Sequence, residues 1–142
     1  MEYKYGKYKF FDLLVMINTH YFPNDILGTN VRENDEIQLQ IYNKLLENYF
    51  NKLNTNISLD EIIELSLNLT GYLWLHQPFY DGNTRTFHHF LKLVFLQLKY
   101  HLYFLENDKT DRIIPLFYDD NQKCIQNDID NLKRRLTKIN NG

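Results

Sequence analysis

The chain of 142 residues contains a single cysteine, Cys124. One thiol excludes an intrachain disulfide framework and a zinc site built from several cysteines. Such cysteine usage is typical of a reducing compartment, so we expect a cytoplasmic protein in which Cys124 is a packed thiol. The first ten residues, MEYKYGKYKF, are charged and aromatic and lack the apolar core of a secretory signal.

An excess of positive charge is also missing. The sequence has 16 Lys and Arg against 18 Asp and Glu, which gives a formal net charge of -2. Nucleic-acid binding draws much of its affinity from positive charge, so we expect no nucleic-acid partner. The longest apolar stretch, FLKLVFLQLKYHLYFL, is interrupted by lysines, a glutamine and a histidine. We therefore expect no membrane span.

Glycine and proline are scarce, with 5 and 3 residues. This scarcity favours helices joined by few special turns. The sequence contains no repeat and no Pro, Gly or Ser-rich linker, so residues 1–142 are predicted to form one domain with its core at about 12–120. Ten Phe and eleven Tyr indicate a core built largely from aromatic rings.

Hydrophobic periodicity predicts an all-α helical bundle. Ser58, with Glu61 three residues later, has the pattern of a helix N-cap, and Pro78 is expected to end the helix that Ser58 begins. The next helix is expected to start at Asn83 to Arg85 and to carry an apolar face that reaches Leu102. The other predicted helices are Tyr8–Asn18, Asp35–Asn51, a short helix before Asp119 and a polar C-terminal helix at about 125–140. The Phe, Val and Ile residues of Tyr8–Asn18 would also suit a strand.

The segment from Asp25 to Arg32 has a different pattern. Gly28, Thr29 and Asn30 separate two short apolar pieces, which is typical of a small β-hairpin or an ordered loop.

The segment with the most chemical content is LHQPFYDGNTRTFHH, a polar loop between the two most apolar helices. The N–H groups of Gly82 to Arg85 are expected to lie at the start of the second helix, where unpaired donors and the helix dipole favour an anion such as phosphate. The Asn83 amide and the Arg85 guanidinium can add hydrogen bonds to phosphate oxygens. Asp81 is placed to carry a magnesium ion that bridges those oxygens.

A purely structural interpretation accounts for the same residues. Asp-Gly-Asn is a common turn, and Asn83 or Thr84 can cap a helix. Arg85 can pair with a surface carboxylate. The residues alone leave both interpretations open.

QPFYDGNTRTFH resembles the signature loop of the Fic (filamentation induced by cAMP) family, also called Fic/Doc or Fido, whose pattern is H-x-F-x-[DE]-G-N-G-R-x-x-R. Phe79, Asp81, Gly82, Asn83 and Arg85 match this pattern without a gap. The resemblance implies a small helical bundle with a hairpin flap. It also implies transfer of AMP from Mg-ATP to a hydroxyl side chain of a target protein, which would be held by the flap near Gly28.

The resemblance assigns roles to the residues that match. Asp81 would hold Mg²⁺, and Asn83 and Arg85 would belong to the catalytic set. ATP would be bound by residues of the loop and the helix start: Gly82, Asn83, Thr84, Arg85 and His88.

This sequence departs from the family pattern at three positions. The third glycine is Thr84, which keeps its backbone N–H. The final Arg is His88, whose neutral or partly charged ring would bind terminal phosphates less firmly. The catalytic His is Gln77, and an amide lacks the basicity to take a proton from the attacking hydroxyl.

His76, one residue earlier, is a candidate for the missing base. Neighbouring side chains on a regular helix point about 100° apart, so His76 would need a bulge at the helix end to reach the loop. Otherwise it is a packed or capping residue. The expected function is therefore AMP transfer with His76 as a displaced base, and the alternative is a catalytically silent Fic fold that binds nucleotide or a protein.

The last residues, TKINNG, have the spacing of the family's inhibitory motif [ST]-x-x-x-E-[GN], with Asn141 in the place of the Glu. A Thr and a Gly five residues apart are common, so this similarity predicts little.

Overall fold

The structure is a computed structural model that describes residues 3–105, 111 and 122–140. Within these residues the chain is mostly helical, which agrees with the predicted all-α fold. It also has one small antiparallel sheet of two strands. The elements are α1 (Phe11–His20), α2 (Glu36–Leu53), α3 (Leu59–His76), α4 (Asn83–Gln97), β1 (Tyr100–Leu102), α5 (Gln122–Arg134) and β2 (Leu136–Lys138).

The first turns of α2 and α3 are capped by side chains. The Asp35 carboxylate accepts a hydrogen bond from the Ile37 N–H at 2.9 Å, and Ser58 Oγ accepts one from the Glu61 N–H at 3.2 Å. Each bond satisfies a donor that the first helical turn leaves unpaired. The predicted cap at Ser58 is confirmed.

The centre of the core is a stack of aromatic rings. Phe11 is fully buried, and its ring lies 5.5 Å from that of Tyr42 and 5.8 Å from that of Phe79, centroid to centroid. These contacts join α1, α2 and the segment that follows α3. The predicted aromatic core is confirmed, and Phe79 of the signature-like loop is one of its central residues.

Helix α4 packs against α1, α3 and β1. It ends at Gln97 because Lys99 adopts a left-handed conformation with φ of 70°. The prediction that Leu102 continues the apolar face of this helix is wrong, since Leu102 lies in β1. It is nevertheless a core residue, with 3% of its surface exposed.

The small sheet pairs β1 with β2 in antiparallel register, with His101 opposite Thr137. The predicted C-terminal helix at about 125–140 is therefore too long, because α5 ends at Arg134 and the chain then extends along β1. Hydrogen bonds from Tyr103 N–H to the Arg135 carbonyl and from Ile139 N–H to the Lys99 carbonyl, at 3.0 and 2.9 Å, continue the pairing beyond the strands. Extended backbone here satisfies polar groups of both segments.

The segment around Gly28 forms an ordered loop of turns and contains no hairpin of its own. Thr29 N–H donates to the Ile26 carbonyl and Val31 N–H donates to the Gly28 carbonyl, which closes two consecutive turns. The segment's one bridge pairs Val31 with Phe79. The sequence pattern allowed a hairpin or an ordered loop, and the structure has the ordered loop. Its extended residue Val31 pairs with the loop after α3, so its two apolar pieces do not pair with each other.

Three predictions concern parts of the chain outside the described residues. They are the short helix before Asp119, the motif-like position of Asn141 and the packing of the Cys124 side chain. For the part of the chain that is described, no helix has the length and apolar character needed to cross a membrane.

Candidate functional site

The site is built on the connection between α3 and α4. Helix α3 ends at His76, and Gln77 follows in the left-handed region with φ of 50°. Arg32 holds this end of the helix: its Nε donates to the Gln77 carbonyl at 2.7 Å, and its guanidinium also donates to the His76 carbonyl. A cation that binds the last carbonyls of a helix also complements the negative end of the dipole. Arg32 thus fixes the point from which the loop departs.

Asn83 is the first residue of α4, and its side chain forms hydrogen bonds across the loop. Its Nδ2 donates to Gln77 Oε1 at 3.0 Å and to the Phe79 carbonyl at 2.9 Å, and its Oδ1 accepts from the Phe79 N–H at 3.1 Å. Asn83 is only 5% exposed. Both amide hydrogens of its side chain are engaged. The expected donation from Asn83 to a phosphate oxygen would require one of these bonds to break.

Gln77 has a structural role at the position of the family's catalytic His. Its Nε2 donates to the Trp74 carbonyl at 2.6 Å, while its Oε1 accepts from Asn83. The side chain thereby links the last turn of α3 to the first turn of α4.

A second link joins these two helices. Trp74 Nε1 donates to Thr84 Oγ1 at 3.0 Å. Thr84 therefore contributes its hydroxyl to helix packing, and its backbone N–H remains in the first turn of α4. Thr84, which stands where the Fic pattern has a glycine, is accommodated by this bond.

Two asparagine side chains form hydrogen bonds to the backbone of Asp81. Asn18 and Asn30 both donate to the Asp81 carbonyl, at 3.0 and 2.8 Å, and Asn30 also donates to Asn18 Oδ1 at 2.7 Å. Asn18 donates further to Thr86 Oγ1 at 3.0 Å. The Asp81 residue itself is exposed, so its carboxylate is accessible above this support.

Gly82 is the N-cap of α4, with φ of 78°, and no side chain caps the helix there. A Cβ at this position would lie 2.8 Å from a ring carbon of Phe22. The left-handed conformation favours glycine here, and the close approach to Phe22 leaves no room for a Cβ. No side chain caps the N–H groups of the first turn of α4, and this turn follows the exposed Asp81 directly in the chain.

Arg85 is exposed on the first turn of α4. Its guanidinium carbon lies 5.8 Å from the centre of the Tyr21 ring, and Tyr21 Oη lies 2.8 Å from His89 Nδ1. Arg85 is thus held on an aromatic face and stays close to the helix start.

The ring of His76 packs on tyrosines. Its centroid lies 4.3 Å from that of Tyr72 and 6.0 Å from that of Tyr42. Burial raises the pKa of Tyr42 above its usual value, so this phenol is neutral at physiological pH. Helix α3 is α-helical through His76, without the bulge that would turn this ring toward the loop.

His88 is buried, with 4% of its surface exposed, and its ring packs edge-on against Phe104 at 4.8 Å. The sequence analysis assigned it to the phosphates of ATP. In the structure this side chain belongs to the contact between α4 and the segment after β1. Asp81, Gly82, Thr84 and Arg85 are brought together at one surface, whereas His76 and His88 lie in separate packing contacts.

Asp81 stands alone as a potential metal ligand. Among the described residues, no group of three or more His, Cys, Asp or Glu side chains comes together. Mg²⁺ bound with a nucleotide commonly has one or two carboxylates and completes its shell with phosphate oxygens and water. An exposed Asp81 carboxylate beside the helix start fits that mode of binding.

Sequence reasoning missed the three residues that support the loop from outside it: Asn18, Asn30 and Arg32. Asparagine is frequent throughout this chain, so a single Asn carries little signal by itself. The usable signal was the position of Asn30 and Arg32 in a turn-rich segment, where polar side chains often bond to backbone groups.

No protein-family model, curated protein or solved structure matches this chain.

Proposed function

We propose that the chain binds the phosphate groups of a magnesium-bound nucleotide at the surface formed by Asp81, Gly82 and Arg85. The observation that carries this proposal is the start of α4: Gly82 occupies the N-cap without a side-chain cap, and the two charged residues beside it are exposed. Helix starts of this kind bind phosphate through backbone N–H groups and the positive end of the dipole.

Each exposed residue has a distinct role in the proposal. The N–H groups of the first turn bind one phosphate, and the Arg85 guanidinium binds oxygens of the next as a fork. The Asp81 carboxylate holds Mg²⁺, which neutralises phosphate charge. The Asn83 side chain maintains the loop shape and leaves the phosphate to the backbone.

Calorimetric titration with Mg-ATP tests this proposal. We expect Arg85→Ala to weaken binding by about 1.5–3 kcal/mol, the usual contribution of a charge-assisted contact. Arg134→Ala is the matched control, since Arg134 is an exposed arginine on α5, and it should leave the affinity unchanged. Asp81→Asn should weaken binding of Mg-ATP and leave binding of ATP in EDTA unchanged or stronger. No heat with ATP, ADP or GTP up to millimolar ligand would contradict the proposal.

Transfer of AMP to a target hydroxyl is the second candidate function. In this reaction the hydroxyl oxygen bonds to the α-phosphorus, the bond to the β-phosphate oxygen breaks, pyrophosphate leaves and a base accepts the hydroxyl proton. His76 is exposed at the end of α3, and its ring makes no hydrogen bond to the described residues. Because α3 is regular through His76, its action as that base requires a rearrangement of the last turn of α3 that moves the ring from Tyr72 to the loop.

Labelled ATP distinguishes the two functions. If His76 is the base, His76→Ala abolishes transfer of labelled AMP and Gln77→His adds little. If His76 is only packed, wild-type protein transfers nothing detectable and Gln77→His introduces transfer. Absence of transfer from both proteins, with ATP binding intact, identifies a silent nucleotide-binding module.

A further inference from the structure

A groove lies on the side of the bundle away from the α3–α4 loop. Helix α1, the end of α2 and the second half of α4 bound it, and its cavity volume is about 600 Å³. Leu13 and Met16 line it from α1, and Leu93 and Val94 line it from α4. Three of these four side chains are more than 40% exposed: Leu13 at 41%, Met16 at 52% and Leu93 at 43%.

The described lining of the groove is apolar except for two amide side chains. Among its described lining residues none is charged, and the only polar side chains are the amides of Asn54 and Gln97. Asn54 is the C-cap of α2 and Gln97 is the last residue of α4, so both amides lie at helix ends, and both are exposed. Phe50 and Phe90, with ring centroids 6.0 Å apart, contribute aromatic surface.

We propose that this groove binds a small uncharged amphiphile, with an alkyl body against the leucines and one hydroxyl or similar polar group at Asn54 and Gln97. Small-molecule sites have volumes of about 300–1,000 Å³ and are mostly apolar, with a few polar groups that set orientation. A volume of about 600 Å³ lined by apolar side chains and two amides has these properties. A charged ligand would find no counter-charge among the described lining residues and would lose hydration without compensation from them.

The shape of the groove argues against a second copy of the chain as its occupant. A twofold dimer brings the same surface of both copies together. Two concave grooves placed face to face would enclose empty apolar space, which forfeits the packing contacts that stabilise an interface. A small ligand fills the same space without that cost.

The test is a titration of the full chain with 1-octanol, followed by methyl NMR. We expect saturable shifts of the methyl groups of Leu13, Leu53 and Val94, which line the groove, and none at Ile63 in the core. Absence of saturable shifts, or equal shifts at Ile63, would overturn the proposal.

Two substitutions on one helix provide a matched comparison. Leu93 and Leu96 are 43% and 41% exposed on α4, and only Leu93 lines the groove. Leu93→Trp should weaken octanol binding at least about tenfold by filling the cavity, while Leu96→Trp should leave it unchanged. Equal affinity of both variants would contradict the assignment of the site. Sedimentation completes the test: a dimer that Leu93→Trp dissociates would show that a second copy occupies the groove.

Discussion

Asn83 Nδ2 donates to Gln77 Oε1 at 3.0 Å, so the residue at the position of the family's catalytic His is bonded to the first residue of α4. Asn83 also binds both polar backbone groups of Phe79, which is a central core residue. The loop conformation and the core are therefore stabilised by the same side chain.

Removal of the Gln77 side chain should destabilise the protein. Gln77→Ala leaves one Asn83 amide hydrogen without its acceptor and removes the hydrogen bond that Gln77 Nε2 donates to the Trp74 carbonyl. We expect a loss of about 1–3 kcal/mol in the free energy of unfolding, measured with urea. Gln40→Ala, at an exposed position of α2, should change it by less than about 0.5 kcal/mol. Equal effects would show that the link does not stabilise the fold.

Gly82→Ala tests the close approach to Phe22. The new Cβ would lie 2.8 Å from the Phe22 ring, and φ at this position is 78°. Gly6 is a matched control, because its φ is 101° and a Cβ there would meet no atom within 4 Å. Gly6→Ala should therefore report backbone strain alone, about 1–2 kcal/mol, and Gly82→Ala should cost at least about 1 kcal/mol more. Similar losses in thermal unfolding of the two variants would exclude a steric role for Phe22.

Asn18→Ala should destabilise the loop between α3 and α4. Asn18 is 1% exposed and its Nδ2 donates to the Asp81 carbonyl and to Thr86 Oγ1. Without them, Thr86 Oγ1 loses this buried donor and the Asp81 carbonyl keeps only the bond from Asn30, so we expect a cost of about 2–4 kcal/mol. Hydrogen exchange should become faster for the amides of residues 79–86. Asn24→Ala, at an exposed position outside the network, should leave both the stability and the exchange unchanged.

Stability should fall at alkaline pH because of buried tyrosines. Burial raises the pKa of Tyr3, Tyr42 and Tyr49 above the usual value of about 10. The folded protein therefore keeps protons that the unfolded chain loses. The contribution of these tyrosines to the free energy of unfolding is fully present below about pH 10. It is lost as the pH rises toward the pKa values of the tyrosines in the folded protein.

Tyr49→Phe provides the check on this pH dependence. It removes one titrating group, so the alkaline slope of the free energy of unfolding should decrease, by up to about 1.4 kcal/mol per pH unit. It also removes the 2.7 Å hydrogen bond to Ser66, which lowers stability by about 1 kcal/mol at all pH values. Tyr80→Phe, at a 64% exposed position, should keep the wild-type slope. An unchanged slope in Tyr49→Phe would contradict the prediction.

The helices could be predicted because local patterns determine them. Ser58 caps α3, and the apolar spacing from Phe87 to Phe95 places α4 correctly. The strands Tyr100–Leu102, which follows the end of α4 at Gln97, and Leu136–Lys138 depend on pairing between segments more than thirty residues apart. Such pairing is decided by tertiary contacts that no short window of sequence contains.

The same distinction applies to the candidate site. Asp81 to Arg85 were found because they are contiguous. Their supports, Asn18 and Asn30, lie 63 and 51 residues before Asp81 and act through its backbone carbonyl, which carries no side-chain signature. The burial of His88 depends on Phe104, a contact from beyond the end of α4.

The most direct test of the central claim is an amide NMR titration with Mg-ATP. We predict saturable shifts of the backbone N–H groups of Asn83, Thr84 and Arg85, with the same apparent affinity at all three. Inorganic triphosphate should produce the same pattern, because the phosphates make the contacts with this helix start. Unchanged amide signals at these three residues under saturating Mg-ATP, or shifts confined to another surface, would contradict phosphate binding at the start of α4.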